Sequence, residues 1–325
     1  MSERSGSAFW TIAPGEGVIR PTPVAEPGPD ELLVRTLYTG ISRGTESLVW
    51  NGRVPASEAA RMQAPFQAGR FPAPVKYGYA SVGVVEAGAP AWLGREVFCL
   101  YPHQSLYCVP ATAAIPLPPG LPAGRAVLAA NTETALNACW DAEPRAGERI
   151  SVIGAGVVGT LTAALCQALP GTEVELIDIN PARQALAGEL GIDFARPEAA
   201  RRDNDRVIHA SASDAGLRLG LDIAGPEATI VELSWFGDDP VSLPLGEAFH
   251  SQRLTLRASQ VGRIPPAMAP RWDHRRRLEK ALQLLATHPA WESLIDGETD
   301  FTDLPRAMDA IVNGHGLCQR VRYPE

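Results

Sequence analysis

The stretch "ERISVIGAGVVG" sets three glycines, Gly154, Gly156 and Gly159, between an apolar strand and the start of a helix. In that context each glycine has a task. Gly154 admits a tight turn, Gly156 lets a pyrophosphate come up to the backbone, and Gly159 lets the helix pack on the strand. The free amides at that helix N-terminus then face the phosphates. Asp178 closes the next strand, 19 residues beyond Gly159, where a carboxylate can accept hydrogen bonds from an adenosine ribose. A 2′-phosphate there meets like charge, and at ~4 Å with an effective dielectric of ~20 each charge pair costs roughly 4 kcal/mol. NAD is favoured over NADP. The alternatives are a glycine-rich turn that binds nothing and a domain for a different nucleotide. A second stretch, "GISRGTESL" (Gly40 to Leu48), brings serine, arginine, threonine and glutamate into one short loop, with no cysteine or histidine to hold a metal.

The elements that must carry these residues fall into two textures. Residues 31–41, 79–88, 95–102 and 105–111 are short β-branched or aromatic runs bounded by Gly and Pro, and read as strands. Segment 49–74 is irregular and proline-rich, and 123–142 is an Ala-rich helix. Alternation then begins. "RISVI" is a strand and Val157 to Leu169 a helix, "EVELID" a strand, and Asn180-Pro181 the opening of a helix that ends near Gly191. "DRVIHAS" is a strand, Asp214 caps a helix running to Ala224, and "ATIVELSWF" is a strand again. Such alternation gives an α/β fold with a doubly wound parallel sheet. A helix over about 274–287 follows. The last 25 residues, "FTDLPRAMDAIVNGHGLCQRVRYPE", read as helix, Gly-rich turn and strand, with the texture of the first domain. The expected division is 1–120, 121–259 and a return over 260–325.

The 325 residues are enough for two domains, and 45% apolar with 20% charged residues is the composition of a soluble enzyme. A net charge of −8 argues against a nucleic-acid footprint or a membrane-surface role. Five scattered cysteines fit a reducing cytosol better than a disulfide framework. The N-terminus lacks the apolar core of a secretory signal. The apolar run Val152 to Leu169 is interrupted by glycines, Thr160, Thr162 and Gln167, so it is not read as a membrane span. The expectation is a cytoplasmic protein.

Taken in order, "GISRGTE", "KYGYASVGVVEAG", "NTETALNA" and "VIGAGVVG" resemble the medium-chain dehydrogenase/reductase superfamily, the relatives of zinc alcohol dehydrogenase, over nearly the whole chain. The resemblance implies a Rossmann domain plus a β-rich GroES-like catalytic domain formed by the N-terminal part and the C-terminal tail. "GISRGTE" and the Gly-Tyr pair are most similar to the branch that contains 2-desacetyl-2-hydroxyethyl bacteriochlorophyllide dehydrogenase. Members with catalytic zinc place a cysteine where this chain has Ser42, a His-Glu pair where Tyr79 and Ala80 follow Gly78, and a third ligand at about Ala130. Those residues are not a zinc ligand set, and Cys99 with Cys108 cannot supply the four cysteines of a structural zinc lobe. No metal site is expected. By the same resemblance Arg43 reaches the cofactor pyrophosphate, which suits its forked charge, and Thr134 lies near the nicotinamide. The other cofactor contacts fall on Val157 and Val158, on Ile179 and Arg183 beyond Asp178, and on Ala210 and Ser211 after "DRVIH".

The activity implied is a zinc-independent, NAD(H)-dependent interconversion of a secondary alcohol and a ketone, which needs positioning and a proton partner for the oxygen. Tyr79 is the candidate, tuned by Lys76, with Ser42 and Glu133 as further catalytic candidates. An unperturbed tyrosine near pKa ~10 needs a shift of ~3 units, roughly 4 kcal/mol, to act as a base near neutrality; as an acid it needs none. A tyrosine that merely fills the vacated metal cavity is the alternative, as is a helix-end salt bridge for Glu133 and a loop-structuring role for Thr45 and Glu46. His103 and Tyr101 are further candidates, His209 packs near the cofactor, and His250 is a surface or core histidine. The basic run 271–280 reads as a solvated face or a site for an acidic substrate group. Two other functions stay open: an enoyl or quinone reductase that prefers NADPH, and an inactive NAD-binding protein. A homodimer is expected, with "ATIVELSWFGDDPVSL" as the candidate sheet edge.

Overall fold

The computed structural model describes residues 4–324, and the chain divides into two compact units. One takes the chain up to Ala130 and again from Leu282 onward; the other is Asn131–Ala281. The second boundary falls later than 260, and Arg277 lies within the Asn131–Ala281 unit. This residue, on the helix His274–Ala286, donates to Glu133 Oε1 at 3.0 Å and to the Val261 carbonyl at 2.5 Å, and also to Asn137 Oδ1. Arg277 is 1% exposed. The basic run 271–280 is therefore not a uniformly solvated face: one of its arginines is buried against a carboxylate. Glu133 is the other half of that ion pair, on the helix Ala129–Ala142.

In the Asn131–Ala281 unit six strands lie in the spatial order Asp193–Ala195, Glu173–Ile177, Arg149–Ile153, Asn204–His209, Ala224–Glu232, Thr255–Ala258. All neighbours are parallel. Numbered along the chain this is 3-2-1-4-5-6, the dinucleotide-binding order, which reverses direction between the Arg149–Ile153 and Asn204–His209 strands. Both faces are covered. Ile150, Val152 and Ile208 pack with Ala163 and Cys166 of the helix Val157–Gln167, and Ile153, Val207 and Ile230 pack with Leu217 and Leu221 of the helix Asp214–Ile223. The Val and Ile residues of the central strands supply the apolar side chains that a sheet covered on both faces requires.

Three local expectations are corrected here. Ser213, not Asp214, caps the helix Asp214–Ile223, its hydroxyl accepting the Gly216 amide at 3.1 Å. The Ala-rich stretch 123–142 is two helices, Ala123–Ala126 and Ala129–Ala142. The strand Ala224–Glu232 is not the sheet edge; Thr255–Ala258 lies outside it, with all four residues exposed.

The other unit is β-rich. A hairpin of Arg4–Ala13 and Glu16–Val24, not expected from the sequence, belongs to one sheet. The strand Glu31–Ser42 sits inside the larger sheet, between Ser81–Ala87 and the C-terminal strand Cys318–Arg322, with Cys318 opposite Ser42. "GISRGTESL" is not a loop: the strand ends at Ser42 and the helix Arg43–Trp50 starts at once. Glu46 in its first turns reaches back to accept the Ser42 amide at 3.0 Å, a carboxylate answering unmet amides at a helix start. Leu48, Val49 and Trp50 bury the helix. Among the described residues no helix is long and apolar enough to cross a membrane.

Breaking a buried ion pair from one side strands the other charge. Glu133→Ala is expected to lower the unfolding free energy by about 3–5 kcal/mol in urea titrations followed by circular dichroism, and Glu133→Leu combined with Arg277→Met to cost less than the single change.

Candidate functional site

The phosphate turn is built as the glycine spacing requires. Gly154 has φ of +107°, and a Cβ there would lie 2.8 Å from the Ala210 carbonyl carbon and the Ser211 nitrogen. At Gly159 a Cβ would fall 1.9 Å from the Gly154 oxygen, so any side chain would push the helix off the strand. Gly156 differs: nothing lies within 4 Å of a Cβ at that position. It stands at the N-terminus of the helix Val157–Gln167, exposed, and leaves a cradle in front of the amides. Asp178 is fixed by two backbone amides, Ala155 N to Oδ2 and Asn180 N to Oδ1, both at 2.7 Å. Each oxygen keeps lone-pair capacity for a ribose hydroxyl. Beside it Ile179 is 76% exposed, the most exposed of the large apolar side chains among the described residues. A dinucleotide fits this donor and acceptor set. Val157, Val158, Ala210 and Ser211 line the same turn region, half-buried, and Arg183 begins the helix after Asp178.

Behind Ser211 stands a hydrogen-bonded chain. Its hydroxyl is 2.7 Å from His209 Nε2, and His209 Nδ1 is 2.6 Å from Glu232 Oε2. His209 is thus a buried, satisfied residue at a strand end beside the turn.

The β-rich unit gathers a second group. The hydroxyls of Ser42 and Thr45 hydrogen-bond the Tyr79 phenol. Burial pushes that phenol well above the ordinary tyrosine range, and the Glu46 carboxylate pushes in the same direction; the two hydroxyls oppose them. His103 Nε2 lies 2.9 Å from Glu46 Oε2 and its Nδ1 2.7 Å from Thr39 Oγ1. His103 and Glu46 are 1% and 2% exposed.

Not every sequence candidate joins this group. Lys76 does not tune Tyr79: its ammonium donates to Gln104 Oε1 at 2.6 Å and lies over the Tyr101 ring, and burial lowers its pKa. Glu133 is held by Arg277, with desolvation raising its pKa against the pull of the guanidinium. Arg43 donates to the carbonyls of Gly316, at 2.7 Å, and of Gly314, so it clasps the turn before the C-terminal strand. His250 is on the surface, and Thr134 is half-buried on the helix Ala129–Ala142. The Glu46–His103 bond joins residues 57 positions apart, and no local sequence signal marks it.

The residues at the three positions where zinc-type relatives are expected to hold a catalytic ion do not form a zinc ligand set. At the expected ligand positions stand Ser42 and Tyr79, hydrogen-bonded to each other, and the methyl group of Ala130. Protein zinc is held by thiolate, imidazole and carboxylate. Among the described residues no group of three or more His, Cys, Asp or Glu side chains could hold a metal ion.

Comparison with known proteins agrees with the fold. No protein-family model matches the chain. A curated relative, 2-desacetyl-2-hydroxyethyl bacteriochlorophyllide A dehydrogenase of Rhodobacter capsulatus, is 31% identical over 255 residues, covering 72% of this chain and 75% of its own. The chain belongs to the medium-chain dehydrogenase/reductase family. Solved structures share that family fold from end to end. A zinc-binding dehydrogenase candidate from Sinorhizobium meliloti 1021, bound to NADP, superposes with a TM-score of 0.77 at 19% identity, covering 98% of this chain and all of its own. An alcohol dehydrogenase from Escherichia coli CFT073, complexed with NADH, does so with a TM-score of 0.77 at 16% identity and the same coverage. The family is one of nicotinamide-dependent oxidoreductases, and the chain is an oxidoreductase of that kind.

The two glycines separate binding from folding. Gly156→Val is expected to raise the dissociation constant for NADH by about tenfold or more, read by NADH fluorescence, with the melting temperature unchanged. Gly159→Val is expected to lower the melting temperature as well, because its side chain has no space.

Proposed function

We propose that the chain interconverts a secondary alcohol and a ketone with NAD(H), and that Tyr79, clasped by the Ser42 and Thr45 hydroxyls, handles the proton in place of a metal. The observation that carries this reading is that clasp, at the positions where zinc ligands would stand. Asp178 favours NAD, since a 2′-phosphate would be set against its charge. The bacteriochlorophyllide relative's name describes a hydroxyethyl group where an acetyl group would be, a secondary alcohol and ketone pair on a ring. An aryl methyl ketone is therefore the substrate class we assign. The expected homodimer would use the exposed outer strand Thr255–Ala258.

When bound, the nicotinamide gives or takes the hydride. The protein's part is to hold the pyrophosphate at Gly154–Gly159, the ribose at Asp178, and the proton at Tyr79. A neutral phenol donates to the oxygen of a ketone as it becomes an alcohol, with no prior ionisation. The reverse direction needs the phenolate, whose charge the Ser42 and Thr45 hydroxyls stabilise. Below the raised pKa the phenol form dominates, so reduction is indifferent to pH. The phenolate fraction rises tenfold per pH unit, so oxidation climbs with pH.

With acetophenone and 1-phenylethanol as probes, kcat for reduction is expected to be flat and kcat for oxidation to rise about tenfold per unit over roughly pH 6–9. Tyr79→Phe should lower kcat by about 10²–10⁴ with NADH affinity unchanged; full turnover in that variant would refute the role of the phenol. NADH should be preferred to NADPH by about 100-fold or more in kcat/KM, and Asp178→Ala should narrow that ratio.

A further inference from the structure

We propose that Glu46 and His103 are positioning residues for Tyr79: the bond between them ties the segment that carries the phenol to the turn that carries its hydroxyl partners. The inference rests on the reading of Tyr79 as the proton partner.

His103 is built into the Tyr79 segment on one side. Gly78, the residue before Tyr79, has φ of +115°, and a Cβ there would lie 2.8 Å from His103 Cδ2 and 3.0 Å from Nε2. The backbone before the phenol therefore runs directly against the imidazole, and only glycine permits it. The His103 amide also donates to the Tyr77 carbonyl at 3.1 Å. On a second side the ring is fixed by Thr39, whose hydroxyl is in turn 3.3 Å from the Tyr323 hydroxyl.

Glu46 is built into the other partner. It lies one residue past Thr45, and its Oε1 accepts the Ser42 amide, so the carboxylate holds the turn from which both hydroxyls reach the phenol. Its Oε2 meets His103 Nε2. The two residues are 57 positions apart in the chain, and neither hydrogen-bonds the phenol itself. A cavity of about 10 Å³ lies beside them, room for no more than a single water. A second effect runs through charge. The ionisable groups set against Tyr79 are Glu46, Cys318 and Tyr77; Lys76 turns away to Gln104. Glu46 is the strongest of the charges acting on the phenol, and it holds the hydroxyls that oppose it.

A positioning role and a purely structural one differ in how losses combine. Residues that act through one group are not additive with its removal. With acetophenone and NADH as the assay, His103→Ala is expected to lower kcat by about 100-fold, the scale of an ångström-sized misplacement. Glu46→Gln, which keeps the shape and loses the charge, should lower it less. In a Tyr79→Phe background the same two changes should alter kcat less than about twofold, with the NADH dissociation constant unchanged in every variant. Losses that multiply with Tyr79→Phe, or no loss from either change, would overturn the proposal. Should His103→Ala fail to fold, Glu46→Gln in the two backgrounds decides alone. If Tyr79→Phe itself costs nothing, the reading of the phenol falls; if it costs turnover while the other changes multiply, only this inference falls.

Discussion

A phenol taken out of water ionises with difficulty, and Tyr79 is given a carboxylate as its neighbour rather than a cation. The surrounding design follows from that one constraint. In the proposed reaction a group that stays protonated is suited to hand over a proton, and the hydroxyls of Ser42 and Thr45 would stabilise its ionised form in the reverse direction. The hydroxyl donors come from the end of the strand Glu31–Ser42 and the first turns of the helix Arg43–Trp50. The C-terminal strand, pairing Cys318 with Ser42, closes the same corner. Arg43 strengthens that closure by holding the Gly314 and Gly316 carbonyls.

The nucleotide unit solves a separate problem with backbone rather than side chains. Its turn depends on two glycines that admit no side chain and one that has open space before it. Asp178 is fixed by amides of its own chain, so its carboxylate is already oriented. Such pre-organisation lowers the ordering cost that binding would otherwise carry.

What the sequence disclosed, and what it hid, divides by range. Gly154, Gly156, Gly159 and Asp178 could be read because each acts through local backbone geometry at a fixed spacing, and the strand–helix alternation around them named the sheet. The hairpin Arg4–Ala13 and Glu16–Val24 carries a weak sequence signal because its serines, glycines and prolines are poor strand formers on their own. Arg277 sits in a run of charges that looks solvated; only the fold turns it toward Glu133 and Asn137. Sequence nearness pairs Lys76 with Tyr79, yet residues three apart around a glycine with positive φ need not share a direction. The Glu46–His103 bond is the clearest case of hidden information: it exists only because sheet pairing brings distant segments together, and nothing in either residue's neighbourhood announces it.

The central claim is that hydroxyls and a phenol do what a divalent ion does in zinc-dependent relatives. The most direct measurement is metal content and turnover on the same preparation, before and after exhaustive chelation, with acetophenone and NADH. The account predicts zinc far below one per chain and turnover untouched by the chelator. Stoichiometric zinc, with activity lost on its removal and restored on its return, would contradict it.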